Sequence, residues 1–347
     1  MFEQLKTLAG KQIHHFSHND MDGYAPQIIS RLSNANVIRF NHCGYGNFEQ
    51  ELSEVLAFYE DECIPEEHAI LITDIAPKDK VIIHRLDELY NKGFTVVLLD
   101  HHDTNKWLCD EKPNWAFITS KLGDTATCGT ELLYLYYKEK EMFNATVAGS
   151  PYLANFVEQV RSYDTWDWDR FNNLFAKQLN SVLYTVGVSK FLNFQLEKIK
   201  DNLANPEAYL YTFNEIEEIL VKIEDDKENK YVEGRSKKML RHDWKVKDRT
   251  YKVGVVFGDQ YHSVLGNELN KLNSDLDFIA ILDLNGGKGS LRTIHDHIHV
   301  GQIAEEIAGG GGHPKAAGFE FNQENMLFKI EDALNLNKLT FWNHQLA

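Results

Sequence analysis

"VVLLDHHDTN" (residues 96–105) is an apolar run that stops on Asp100, His101, His102 and Asp103. Such a run reads as a strand buried on both faces. Its polar end is either a strand leaving the core for a solvated loop or a strand delivering ligands to a site. The sequence on either side decides between the two.

Upstream, strand and helix signals alternate. "KQIHHFSH" (11–18), "NVIRFNH" (36–42), "HAILITDI" (68–75) and "FTVVLLD" (94–100) read as strands. "GYAPQIISRLS" (23–33), "FEQELSEVLAFYE" (48–60) and "KDKVIIHRLDELYNKG" (78–93) read as the helices between them. This alternation implies an α/β fold with a parallel sheet covered by helices. Ligands of such sheets bind beyond the carboxyl ends of the strands. Further helices are expected over 125–137 and 151–163.

From about residue 189 the pattern changes to long, charged helices. "NEIEEILVKIEDDKE" (214–228) places Ile216, Ile219, Leu220 and Ile223 on one helical face, which is expected to pack. After it, "YKVGVVFG", "HSVLGNELNKL" and "DFIAILDLNGGKGSLRTI" return to strand and helix signals and lead into "GGGGHPKAAGF" (309–319). The expected organisation is a catalytic domain over 1–188, a helical connector over 189–245 and a smaller α/β substrate-binding domain over 246–347, with the active site in the cleft between domains.

With 347 residues, 43% of them hydrophobic, the chain can bury the cores of two domains. Its longest apolar runs are far shorter than a membrane span, and "MFEQLKTLAGKQ" lacks the apolar core of a signal peptide, so a cytoplasmic protein without a membrane partner is expected. Cys43, Cys63, Cys109 and Cys128 are scattered, as expected of reduced thiols. The net charge of −16 argues against a protein that coats long nucleic acid, because such binders neutralise phosphates with Lys and Arg. A small anionic substrate remains compatible with this charge if metal ions supply positive charge locally. The basic island over 229–252 reads as a solvated helix end, with steering of an oligonucleotide as the alternative.

Three of the four strands of the first domain are followed by ligand-type residues. "SHNDMDG" (17–23) puts His18, Asp20 and Asp22 at alternate positions, so an extended loop would project all three to one side. Asp74 follows the "AILIT" strand, and Asp100, His101 and His102 follow "VVLL". Imidazole and carboxylate ligands together suit Mn²⁺, and less specifically Mg²⁺, Zn²⁺ or Co²⁺. There are too many candidates for one ion, and a pair bridged by a carboxylate fits better. Two metals about 4 Å apart can activate a water and stabilise the attacking and leaving oxygens of a phosphoryl group.

"SHNDMDG", the Asp of "LITDIAP", the "DHH" triplet and the Asp of "RSYDTWDW" resemble the four successive motifs of the DHH phosphoesterase family. "SLR" with "GGGGHPKAAGF" resembles that family's associated C-terminal domain. The resemblance implies that His18, Asp20 and Asp74 hold one divalent cation, and that Asp22, Asp74, His101 and Asp164 hold a second. Asp74 would be the bridge, Asp100 would orient an imidazole, and His102 would face the substrate phosphate. In the C-terminal domain Arg292, His313 and the backbone of Gly310, Gly311 and Gly312 would bind substrate. The physical reading agrees, since glycines let backbone donors approach an anion and Arg grips phosphate through two N–H groups. The position of "HDHIH" (295–299) is a variable link in the family, so these residues are expected to be solvated.

Within the family, the length of the chain, its lack of membrane segments and its C-terminal domain point to the stand-alone hydrolases of short oligonucleotides, the nanoRNases. Many of these have three residues between the first His and the first Asp. Here only Asn19 intervenes, which resembles the compact NrnB-type branch. The expected substrate is an oligonucleotide of two to five nucleotides cut to 5′-monophosphates with Mn²⁺. Linear or cyclic dinucleotides and 3′-phosphoadenosine 5′-phosphate are alternative substrates, and a non-catalytic nucleotide sensor is a third class. Long duplex is not an expected partner, while a homodimer is compatible with the sequence.

Overall fold

The computed structural model describes residues 1–205 and 207–324, in two compact units, the first running through Val221 and the second starting at Lys222. In the first, β1 (Gln12–His18), β2 (Asn36–Cys43), β3 (His68–Thr73), β4 (Thr95–Asp100) and β5 (Ala116–Ile118) form a parallel sheet in the order β2-β1-β3-β4-β5. The crossovers carry α1 (Met21–Arg31), α2 (Phe48–Glu62), α3 (Lys80–Asn91) and α4 (Lys106–Glu111). Strand order reverses between β1 and β3, which is where a doubly wound sheet opens a crevice at its carboxyl edge.

The period of two in the strands sorts side chains onto two cores. Ala69, Leu71, Val97 and Leu99 face one, and Ile70, Ile72, Val96 and Leu98 face the other with α2 and α3 residues such as Leu52 and Leu86. Because both of their faces are covered, β3 and β4 read as nearly unbroken apolar runs. A short hairpin, β6 (Lys121–Leu122) and β7 (Thr125–Ala126), precedes α5 (Gly129–Glu139), α6 (Ala145–Ala148), α7 (Pro151–Asp164), α8 (Asp167–Arg170), α9 (Leu174–Val186) and α10 (Val188–Asn202). Leu132, Val157, Leu183, Phe191 and Leu196 from this set join the first core.

The next helix, α11 (Glu215–Ser236), corrects one expectation. Ile216, Ile219 and Ile223 are 69%, 59% and 46% exposed, whereas Glu217 and Val221 are buried. Periodicity defines a stripe but not the direction in which it points. Here Glu217 accepts hydrogen bonds from Gln195 Nε2 (2.8 Å) and Lys198 Nζ (2.7 Å) of α10, and that buried ion pair sets the helix rotation.

In the second unit, β8 (Leu240–Val246), β9 (Arg249–Phe257), β10 (Phe278–Asp283), β11 (Lys288–Arg292), β12 (Gly311–Gly312) and β13 (Ala316–Glu320) form one sheet in the order β12-β13-β11-β10-β9-β8. β9 and β10 pair in parallel across α12 (His262–Leu272), and the other pairs are antiparallel. The last described helix is α13 (Val300–Ala308). Phe278 and Ala280 face one core, Ile279 and Ile281 the other. No helix among the described residues is long and apolar enough to cross a membrane. Several cations of the basic island are locally paired: Arg241 with Asp275, Lys237 with Glu233, and Lys247 with Glu306.

Candidate active site

Register brings the first ligands together. Ser17 pairs with Thr73 and Thr73 with Leu99, so the next residues along, His18, Asp74 and Asp100, end three adjacent strands at one level. Asp74 leaves its strand in the left-handed region, at φ 59°, where a short polar side chain is among the few tolerated. Its N–H is held by Leu99 O at 3.0 Å.

The "SHNDMDG" loop is ordered by the helix it starts. Asp20 is the N-cap of α1, where Oδ1 accepts from Gly23 N at 3.0 Å while Oδ2 accepts from His18 Nδ1 at 2.7 Å. Asp22 is buried in the first turn, and its carboxylate accepts from two amides at the start of α5, Gly129 N (2.6 Å) and Thr130 N (2.9 Å). A helix N-terminus favours a carboxylate in this way. Pro26 lies one turn further along α1 and has no N–H for the Asp22 carbonyl; Thr130 Oγ1 donates to that carbonyl instead, at 2.7 Å.

Asp74 lies between two groups of donors. Oδ1 is 3.2 Å from His101 Nε2, and Oδ2 is 3.8 Å from His18 Nδ1. On the His101 side, Asp164 Oδ2 lies 3.3 Å and Asp22 Oδ2 3.9 Å from the same ring nitrogen. His18 with Asp20 and Asp74, and His101 with Asp22 and Asp164, are two sets close enough to share an ion, and Asp74 also groups with His101 and His102. Asp164 is the last residue of α7, whereas Asp167 of the same segment is tied to Arg161 at 2.8 Å.

The electrostatics of the cluster fit divalent cations. Burial and then the neighbouring carboxylates, Asp22 and Asp20 foremost, push Asp74 and Asp164 well above the usual carboxylate range. Among the described residues, Asp74 Oδ2 and Asp164 Oδ2 are buried with no hydrogen-bond partner. A buried carboxylate oxygen without a hydrogen-bond partner is costly, and a cation beside these two would remove the cost. Burial also works to raise Asp20, but His18 and the Gly23 amide outweigh it and hold Asp20 below its ordinary value.

The DHH triplet divides its work by geometry. Asp100 is fully buried and accepts from His101 N (2.8 Å), His102 Nδ1 (2.7 Å) and Asn105 Nδ2 (2.8 Å). Burial would raise this carboxyl, but His102 and Asn105 hold it below its usual range. With Nδ1 so engaged, His102 Nε2 faces Tyr45 Oη at 3.4 Å.

Arg292, Gly310, Gly311, Gly312 and His313 all lie in the second unit. Arg292 donates to Leu291 O (2.9 Å) and Ser263 Oγ (3.1 Å), and its Nε is buried without a partner among the described residues. The amides of Gly310 and His313 are engaged by Ala304 O and Ala316 O, at 3.1 and 2.8 Å. A Cβ on Gly310 would lie 2.2 Å from Gly318 O, so close packing of the loop is one reason for glycine there. In "HDHIH", His295 Nε2 bonds Leu276 O, His299 caps α13 and fully exposed Asp296 pairs with Lys315; these residues form no ligand group among the described residues.

Thr130, Gly129, Asn105 and Tyr45 are absent from the reading by sequence. "CGTELL" (128–133), a helix start that docks Asp22, carried a usable signal; a Cβ on Gly129 would lie 2.6 Å from Asp74 Cβ. Tyr45 carried none.

The DHHA1 domain family matches residues 252–338. Oligoribonuclease NrnB of Bacillus subtilis is 31% identical over 328 residues, covering 93% of this chain and 76% of that protein. A 3′,5′-cyclic-nucleotide phosphodiesterase of Helicobacter pylori is 26% identical over 93% of this chain and 99% of its own length. The fold is similar to that of exonuclease RecJ bound to manganese, with a TM-score of 0.52 and 17% identity over 93% of this chain and 89% of that one. The protein is thus an enzyme, a hydrolase of phosphodiester bonds. The chain belongs to the DHH phosphoesterase family and carries the family's DHHA1 domain.

Proposed function

We propose that the chain hydrolyses short oligonucleotides, two to five nucleotides long, to nucleoside 5′-monophosphates, using two divalent cations, Mn²⁺ foremost, at the carboxyl edge of its parallel sheet. The double orientation of Asp74, one oxygen toward His101 and the other toward His18, carries this reading. His18, Asp20 and Asp74 would hold one cation, and Asp22, Asp74, His101 and Asp164 the other. When bound, such a pair supplies an activated water and positive charge for the phosphoryl oxygens.

The rest of the work falls to the chain. The α5 amides fix the Asp22 carboxylate, and Asp100 fixes the His102 ring through Nδ1. That leaves His102 Nε2 to meet a phosphate oxygen, donating when the ring carries a second proton. Arg292, His313 and the loop of Gly310, Gly311 and Gly312 are the residues proposed to bind substrate from the second unit. The similarity to the Bacillus oligoribonuclease supports the substrate size. The nearly full-length match to the Helicobacter enzyme, whose substrate is a 3′,5′-cyclic nucleotide, supports a small cyclic phosphodiester as a second reading, of which cyclic dinucleotides are the members tested.

The test compares initial rates of the purified chain with Mn²⁺ on a pentanucleotide, pApA, cyclic dinucleotides, 3′-phosphoadenosine 5′-phosphate and a long single strand. The expected result is that pApA and the pentanucleotide turn over fastest. Equal rates on the long strand would defeat the size preference, and fastest turnover of a cyclic dinucleotide would favour the second reading.

A further inference from the structure

We infer that Tyr45 is a further substrate-contact residue, whose phenol donates a hydrogen bond to the phosphodiester oxygen that meets His102. This rests on the phosphodiesterase reading of the site. Tyr45 lies in the loop between β2 and α2, on the first unit alone, and three observations separate it from an ordinary surface tyrosine.

The first is position. Its ring centroid is 4.9 Å from that of His18 and 6.4 Å from that of His102, and its hydroxyl is 3.4 Å from His102 Nε2. It therefore spans a candidate metal ligand and the candidate phosphate contact. The second is exposure. Tyr45 is 54% exposed and belongs to none of the hydrophobic cores, so packing does not account for an aromatic residue there.

The third is the loop that carries it. Glycines flank Tyr45, and Asn47 Oδ1 accepts from Gly44 N (2.9 Å) while Asn47 Nδ2 donates to Glu51 Oε1 (2.5 Å). Asn41 and Cys43 donate to the other oxygen of Glu51, which ties the turn to the end of β2. The phenol is thus presented at the rim of the site by a turn held from its base. A donor fixed where phosphoryl charge develops stabilises the transition state with little reorganisation. Among the described residues that hydroxyl has a long hydrogen bond to His102, at 3.4 Å, so a phosphate oxygen entering between them would find both groups already aimed.

Tyr45→Phe removes the hydroxyl and keeps the ring, and Tyr45→Gln restores a donor without it. The measurements are kcat and KM on pApA with saturating Mn²⁺, together with Mn²⁺ affinity by calorimetry. The expected result for Tyr45→Phe is a fall in kcat of about 10- to 100-fold with Mn²⁺ affinity unchanged, and partial recovery in Tyr45→Gln. A Tyr45→Phe variant with undiminished kcat/KM, or one that loses Mn²⁺ affinity in step with activity, overturns this inference while leaving the phosphodiesterase reading intact. If the unaltered protein hydrolyses none of the phosphodiesters tested, both fall together.

Discussion

Asp100 illustrates how much one buried carboxylate can organise. It accepts from the amide of His101, the ring of His102 and the side-chain amide of Asn105, so it aligns the imidazole proposed to meet substrate without being placed among the proposed cation ligands. Asp100→Asn keeps the shape but turns an N–H toward a neighbouring donor. It is expected to lower kcat by about 10- to 100-fold, with Mn²⁺ affinity nearly unchanged, as judged by steady-state kinetics and calorimetry. A collapse of Mn²⁺ affinity would place Asp100 among the ligands instead. His18, Asp20, Asp22, Asp74 and the DHH triplet were legible because each lies within a few residues of a strand's carboxyl end, and parallel strands bring those ends to one edge. Asp164 was not legible from chemistry alone: it reaches His101 from the end of α7, and only helix packing chooses it over Asp167. Tyr45 reaches the rim through the fold of a turn, which has no periodicity to read.

At the scale of elements, α1 and α5 are joined by a pairing that proline makes necessary. Pro26 cannot supply an amide to the Asp22 carbonyl, and Thr130 Oγ1 does so in its place. Thr130→Val is nearly isosteric but leaves that buried carbonyl unpaired. The expected cost is about 1–3 kcal/mol, read as a lower urea midpoint with an unchanged m-value. The first two strands carry a second liability in His14, His15 and His42, all held below the ordinary histidine value, mainly by burial, with His42 lowered to about 4. The unfolded chain binds these protons near pH 6.5 and the folded chain resists them, so the stability from the neutral rings is complete above pH 6.5. It is lost as pH falls through 6.5 toward the folded values. His42 alone accounts for about 2 kcal/mol between pH 7.5 and 5. Denaturation at both pH values should show this loss, and His42→Asn should reduce it; an equal loss in both proteins would exclude His42. The α11 stripe marks the limit of periodicity at this scale, since Ile216, Ile219 and Ile223 form a face but Glu217, paired with Lys198, decides which face is buried.

At the scale of the molecule, a chain of net charge −16 acts in a family whose substrates are anions, and the cluster at the sheet edge accounts for that. Its carboxylates repel one another, Asp74 and Asp164 are pushed up, and the imbalance is the kind that divalent cations correct. The two α/β units follow from the alternation in the sequence, because each strand and helix carries its own period, whereas the strand orders come from tertiary pairing that the alternation does not specify. The engagement of the Gly310 amide by α13 is a tertiary detail that "GGGGHPKAAGF" does not display. The central claim is that Asp74 joins the two ligand groups into one hydrolytic site. The most direct measurement is the Mn²⁺-dependent initial rate on a short oligoribonucleotide for the unaltered chain and for Asp74→Ala. The account predicts turnover by the first and a loss of at least about 1000-fold in the second; an Asp74→Ala variant that cleaves at the unaltered rate would contradict it.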